Sequence, residues 1–133
     1  MPSPASQRRS VLVSRVRIAE STILKEGERI VVQIGDVSVG VFRTSRGLRA
    51  YENVCAHQGG PVCQGRIVPR VREVLDHDMR VIGQDFDEDE MHVVCPWHGA
   101  EYRIDTGEHA TIPHIALRRY EVDESEGQIY VSI

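Results

Sequence analysis

Cys55-Ala56-His57-Gln58-Gly59-Gly60-Pro61 and Cys95-Pro96-Trp97-His98-Gly99-Ala100-Glu101-Tyr102 are the two stretches that decide how this chain is read. Each holds one Cys and one His, spaced C-x-H in the first and C-x₂-H in the second. Two thiolates and two imidazoles make a metal-binding set, because soft sulfur and borderline nitrogen suit iron–sulfur groups and zinc. Structural zinc sites usually use C-x₂₋₄-C knuckles, and a C-x-H spacing is unusual for them. A pair of loops that each supply one ligand of each kind would clamp a metal group from both sides.

Short strand patterns surround the two loops. Residues 11–18 place apolar side chains at 11, 13, 16 and 18, and residues 28–34 are rich in β-branched types. Gly35-Asp36 is a turn signal, and residues 37–42 alternate with period 2, so residues 34–37 read as the turn of a hairpin. A second turn at Ser45-Arg46-Gly47 leads into residues 48–51. Further strands are expected over 91–94, 100–104, 115–122 and 128–133, with turns at Asp105-Thr106-Gly107 and Glu126-Gly127. Many short strands joined by glycine-containing turns predict an all-β antiparallel sandwich or open barrel.

Residues 64–91 stand apart from that pattern. They hold eight acids and four arginines, a formal charge equal to the −4 of the whole 133-residue chain. The run Asp85-Phe86-Asp87-Glu88-Asp89-Glu90 reads as a solvated loop, or else as a docking patch for a basic redox partner. The rest of the chain is balanced in charge and has no basic stripe, which argues against nucleic acid as a partner. No apolar run approaches 18 residues, so no membrane span is expected. Arg8-Arg9 is not followed by an apolar region, because Arg15 and Arg17 interrupt it, so export is not expected. The domain reading is a flexible tail over 1–10 and a single domain over 11–133 carrying an acidic insertion at about 64–91. Three cysteines give no paired framework and fit a reducing cytoplasm, with Cys63 as a free thiol.

Beyond the four ligand types, both loops resemble those of the Rieske-type [2Fe–2S] family. The resemblance rests on the Gly60-Pro61 turn after His57, the Cys95-Pro96-x-His98-Gly99 core, Tyr102 four residues after His98, and Thr106-Gly107 with Pro113 downstream. It runs over nearly the whole chain. Zinc does not account for Gly99, Tyr102 or Pro113. The resemblance implies a Rieske-like sandwich or open barrel with a small cluster-binding subdomain. It also implies one [2Fe–2S] cluster per chain, with Cys55 and Cys95 on one iron and His57 and His98 on the other. Gly60, Pro61, Pro96, Trp97, Gly99, Tyr102 and Pro113 would line it. Gly99 would let backbone N–H groups approach the sulfurs, Tyr102 would bring its hydroxyl to a ligand sulfur, and Trp97 would cover the loops and exclude water.

Departures from the family narrow the expectation. Respiratory Rieske proteins carry an additional Cys in each loop, joined as a disulfide; Trp97 takes that place in the second loop and leaves Cys63 without a mate. Ala100 stands where those proteins have a Ser hydroxyl. Both departures imply a ferredoxin-like member in the lower half of the range of about −150 to +300 mV. The 37 residues between His57 and Cys95 are roughly twice the number the family ferredoxins carry, and the excess is the acidic segment. The implied function is electron transfer as a cytoplasmic carrier, without catalysis of its own, between a reductase and a terminal oxygenase. The chain length leaves no space for a mononuclear iron site. The alternative is a Rieske-like small subunit of a larger oxidoreductase, of the nitrite reductase or arsenite oxidase type, bound to a large catalytic subunit. An exposed apolar patch would favour that alternative.

Overall fold

The computed structural model describes residues 14–56 and 59–133. The expected tail over 1–10, the start of the first expected strand, and His57 lie outside the described residues. Among the described residues, nine strands form two sheets. The larger has the order β1 (Arg15–Glu20), β9 (Gln128–Ser132), β8 (Arg119–Ser125), β4 (Gly47–Glu52), β3 (Val37–Thr44), β2 (Arg29–Ile34). The smaller has the order β5 (Arg66–Leu75), β6 (Val81–Val94), β7 (Glu101–Arg103). Every strand pair is antiparallel. The all-β expectation holds. Among the described residues, no helix is long and apolar enough to cross a membrane.

Alternation along β3 and β4 sets the layers. Val39, Val41 and Ala50 face one side, where Leu24, Tyr120, Ile129 and Val131 complete a core inside the larger sheet. Gly40, Phe42 and Tyr51 face the other side and pack against the cysteine loops and the smaller sheet. β3 is therefore buried on both faces from Val39 to Phe42, which is why that stretch is apolar and uncharged. The β2–β3 turn falls at Gly35-Asp36 as the sequence indicates; Gly35 sits at φ +60°, which a two-residue hairpin loop favours.

Two expectations needed correction. Residues 115–118 are not strand. They make one isolated bridge, Glu108 to Ala116, and β8 begins at Arg119. Residues 64–91 are not an irregular loop: they contain β5 and most of β6, a hairpin of 10- and 14-residue strands, and the acidic run lies in β6. Acids are disfavoured in strands, and so the run read as a loop. Its charges are matched across the ladder instead, Arg70 opposite Asp87 and Arg72 opposite Asp85, the latter pair closing at 3.0 Å.

The hairpin bends where it leaves the body. Pro69 pairs with Met91 but the next residue, Arg70, pairs with Asp87, so residues 88–90 bulge out of β6. Pro69 is tolerated because β5 is an edge strand. Glu90 ties the bulge down, with His92 Nε2 at 2.7 Å, Arg103 at 3.5 Å and Arg70 at 3.6 Å; the buried His92 ring also meets Glu101 through Nδ1. Inboard of the bend Ile67, Met91 and Val93 join the core. Outboard of it the strands run into solvent.

Candidate metal centre

Cys55 follows β4 and Cys95 follows β6, and the two loops close by the same pattern of hydrogen bonds. The Cys55 N–H donates to the Gly60 carbonyl at 2.7 Å, and the Gly59 N–H donates back to the Cys55 carbonyl at 2.8 Å. In the second loop Cys95 N–H donates to Ala100 O at 2.8 Å and Gly99 N–H to Cys95 O at 3.1 Å. Gly59 and Gly99 occupy the same position in each loop, at φ +77° and +74°, a conformation that costs a side-chain-bearing residue dearly. Two unlike sequences thus make equivalent turns that present one buried cysteine each.

The turns meet closely. Gly60 has no room for a side chain: a Cβ there would lie 2.8 Å from the Trp97 ring and 3.0 Å from Cys95 Sγ. Trp97 therefore covers the first loop with one ring face while remaining 55 % exposed. Both cysteines are buried, and their thiols lie within hydrogen-bonding reach of one another. Burial, and then the adjacent Cys55 thiol, push the Cys95 thiol above its ordinary pKa. It is the Trp97 backbone that pulls the Cys95 thiol down, whereas the Gly99 N–H donates to the Cys95 carbonyl and closes the loop. The Tyr102 hydroxyl lies 3.1 Å from Cys55 Sγ. Two buried thiols side by side ionise together only if a cation takes up the charge, so this donor set fits a metal group bound through sulfur.

Among the described residues no three His, Cys, Asp or Glu side chains come together as a metal site, so the structure does not bring His98 to the two thiols. Pro96 and His98 are exposed on the second loop, and Pro61 caps the first, its carbonyl accepting from Gln64 N–H at 3.1 Å. Pro113 is exposed in the loop after His109. That loop is linked to the centre by His109, whose ring packs edge-on against Tyr102 at 5.2 Å and whose Nδ1 accepts from Thr111 N–H and Ile112 N–H. Cys63 is a fully buried structural thiol, its pKa pushed up to about 12 by burial. It packs on Gly40, where a Cβ would overlap it, and its N–H donates to Asn53 Oδ1 at 2.8 Å.

Supporting residues that the sequence reading passed over are Tyr51, Asn53 and His109. Tyr51 is buried, its pKa raised to about 12 by burial, and its hydroxyl donates to Ile104 O at 2.5 Å, joining the larger sheet to the turn that follows β7, the strand of Tyr102. An aromatic and an Asn shortly before Cys55 carry no spacing signature. Only their place at the strand end could have marked them.

The family model described as the Rieske [2Fe-2S] domain matches residues 14–121. The chain belongs to this family. A Rieske domain carries a [2Fe–2S] cluster, and the buried sulfurs and their donors fit one. The curated relative Ferredoxin CarAc from Metapseudomonas resinovorans is 27 % identical over 105 residues, covering 78 % of each chain. Among solved structures, one from Mycobacterium tuberculosis, named as a candidate NADH-dependent nitrite reductase small subunit, superposes at a TM-score of 0.67 with 19 % identity, covering 91 % of this chain and 96 % of that one. The ferredoxin of carbazole 1,9a-dioxygenase from Nocardioides aromaticivorans IC177 superposes at 0.61 with 22 % identity, covering 89 % of this chain and 96 % of that one. At these identities the structures speak for the Rieske fold alone.

Proposed function

We propose that this Rieske protein is a one-electron carrier whose cluster is held by Cys55 and Cys95 on one iron and by His57 and His98 on the other. The observation that carries this reading is the matched pair of loops, each presenting a buried cysteine in the same turn, with the Tyr102 hydroxyl 3.1 Å from Cys55 Sγ. The bound cluster supplies a reversible one-electron couple. The chain's residues do the rest. Gly60 and Trp97 keep the two loops in contact and shield the sulfurs from water. The Tyr102 hydroxyl donates a hydrogen bond that favours the more negative, reduced state. His98 lies exposed at the loop surface, where an electron partner can approach it.

The relative named a ferredoxin supports a diffusing carrier between a reductase and a terminal oxygenase, acting in the cytoplasm without catalysis of its own. A specific observation also favours the second reading, a small subunit fixed to a larger oxidoreductase: the arm beyond Pro69 exposes Val71, Ile82 and Phe86 to solvent. A redox titration of the cluster-loaded protein tests the common core of both. A reversible one-electron wave in the lower half of the range of about −150 to +300 mV is expected. Absence of any reversible couple would overturn it.

A further inference from the structure

The arm formed by β5 and β6 beyond Pro69 has two unlike faces. Cross-strand partners share a face and successive residues alternate. Arg70, Asp87, Arg72 and Asp85 occupy one face, with Val74 opposite Gly83 nearer the tip. Val71 opposite Phe86 and Glu73 opposite Gln84 occupy the other, which Ile82 joins by its alternation with Gln84 and Phe86; a bulge between Val74 and Leu75 leaves Ile82 unpaired and brings Val81 opposite Leu75 beside it. The five apolar residues of this second face are each between 42 and 65 % exposed. Along β5 the same alternation connects them to Ile67 and Pro69, so the apolar face continues the side on which the hairpin packs against its own body. A two-stranded hairpin with an uncovered apolar face is marginal in water, so a surface of this kind calls for a cover.

We propose that a second copy of this chain covers it, the two arms packing face to face and antiparallel about a two-fold axis near Glu73. The face suits its own copy: it carries a single charged residue, so self-packing buries little charge, and the arginine–acid pairs stay outside in water. Its apolar residues expose roughly 500 Å² per copy, on the scale of aromatic and aliphatic side-chain areas. With Glu73, Gln84 and the tip added, the contact approaches the ~800 Å² per partner of a standard interface. A parallel arrangement is excluded by the bodies, which sit over the same face at the arm's base and would collide.

The antiparallel register places the tip as well. Residue 73 is four residues from Pro69 and four from His77, about 13 Å each way along a strand. With Glu73 on the axis, each tip therefore arrives at the partner's bend. There lies a groove of about 480 Å³ lined by Phe42, Ile67, Met91 and Ile104 and also by acids that include Glu28 and Glu88. The tip offers Met79, 73 % exposed and held at φ +63° by a turn in which Asp76 Oδ1 accepts from the Asp78 and Arg80 N–H groups. A flexible thioether is suited to filling such a groove. The contact is isologous, as the commonest closed assemblies are.

Sedimentation velocity on the cluster-loaded full chain, from about 5 to about 200 µM, tests the proposal. A monomer–dimer equilibrium is expected, with dimer dominant at the top of the range. Val71→Ser with Phe86→Ser should weaken association at least tenfold, and Met79→Ser less, with iron and sulfide content unchanged in both. Glu73→Gln should tighten the dimer, because it removes two carboxylates facing across the axis. Glu73→Cys should form an intermolecular disulfide on oxidation. A wild-type protein that stays monomeric at the highest concentration would overturn the proposal and assign the face to a different protein. Association untouched by the Val71/Phe86 changes, or a dimer in which Glu73→Cys fails to cross-link, would overturn it equally. None of these readouts depends on the electron-transfer reading.

Discussion

Gly60→Ala is the sharpest probe of how the two cysteine loops are held together. The added methyl would fall 2.8 Å from the Trp97 ring and 3.0 Å from Cys95 Sγ, both closer than carbon normally approaches. Overpacking of a fitted contact costs about 2 kcal/mol. Trp97 is a little under half covered. Its truncation to Ala removes on the order of 100 Å² of contact, an upper bound of about 2.5 kcal/mol and in practice about 2. If the two changes acted independently, the double variant would lose about 4 kcal/mol. They do not act independently here, because removing the indole vacates the space that the methyl needs. We expect the double variant to lose about 2.5–3 kcal/mol, a favourable coupling of at least ~1 kcal/mol. For a chain of this size each kcal/mol moves Tm by roughly 3 °C. Scanning calorimetry of the cluster-loaded proteins should thus show losses of roughly 6 °C for each single change and 8–9 °C, not 12, for the pair. Strict additivity would refute the contact between the loops as drawn. A Gly60→Ala protein with wild-type Tm would refute it outright.

Tyr102→Phe removes a hydroxyl 3.1 Å from Cys55 Sγ; losing a donor worth about 1 kcal/mol to the reduced state should lower the potential by about 40 mV without loss of iron, read by protein-film voltammetry. The Arg43 guanidinium, 2.7 Å from its carboxylate, holds Glu124 down at about 2, below its ordinary value. The stabilisation from that ionised pair is present above the ordinary carboxylate range and fades as pH falls from about 4.5 toward about 2. Unfolding free energies of wild type and Glu124→Gln from urea titration should therefore differ by under ~1 kcal/mol near neutrality, the pair being partly exposed, and converge in acid. Cys63 is buried with its pKa pushed up to about 12, so a thiol reagent at pH 8 should leave it unmodified in the folded protein, and Cys63→Ala should keep full cluster content.

Much of the centre was legible because its chemistry is local in sequence. Ligand types, the two glycines and Tyr102 all fall within a few residues of a cysteine, and the turn geometry needs glycine where it stands. The strands were legible where alternation met burial, as in β3 and β9. Two features were not. The arm looked irregular because its acids pair with arginines on the facing strand, and that relation exists only once the hairpin forms. The region 115–118 looked like strand because Ile115 and Leu117 are apolar, yet the Leu117 N–H goes to Gly107 O and the Leu117 side chain joins the buried cluster that holds Tyr51. Gly40 shows the same limit: its purpose, room for Cys63, is fixed by a residue more than twenty positions away.

The central claim is that Cys55, His57, Cys95 and His98 together hold a two-iron cluster. Iron and acid-labile sulfide determined on the same purified sample, for wild type and for Cys55→Ser, Cys95→Ser, His57→Ala and His98→Ala, test it directly. The account predicts about two irons and two sulfides per wild-type chain, and loss or severe depletion of both in each of the four variants. A wild-type protein carrying one zinc and no labile sulfide, or any of the four variants retaining a full and unaltered cluster, would contradict it.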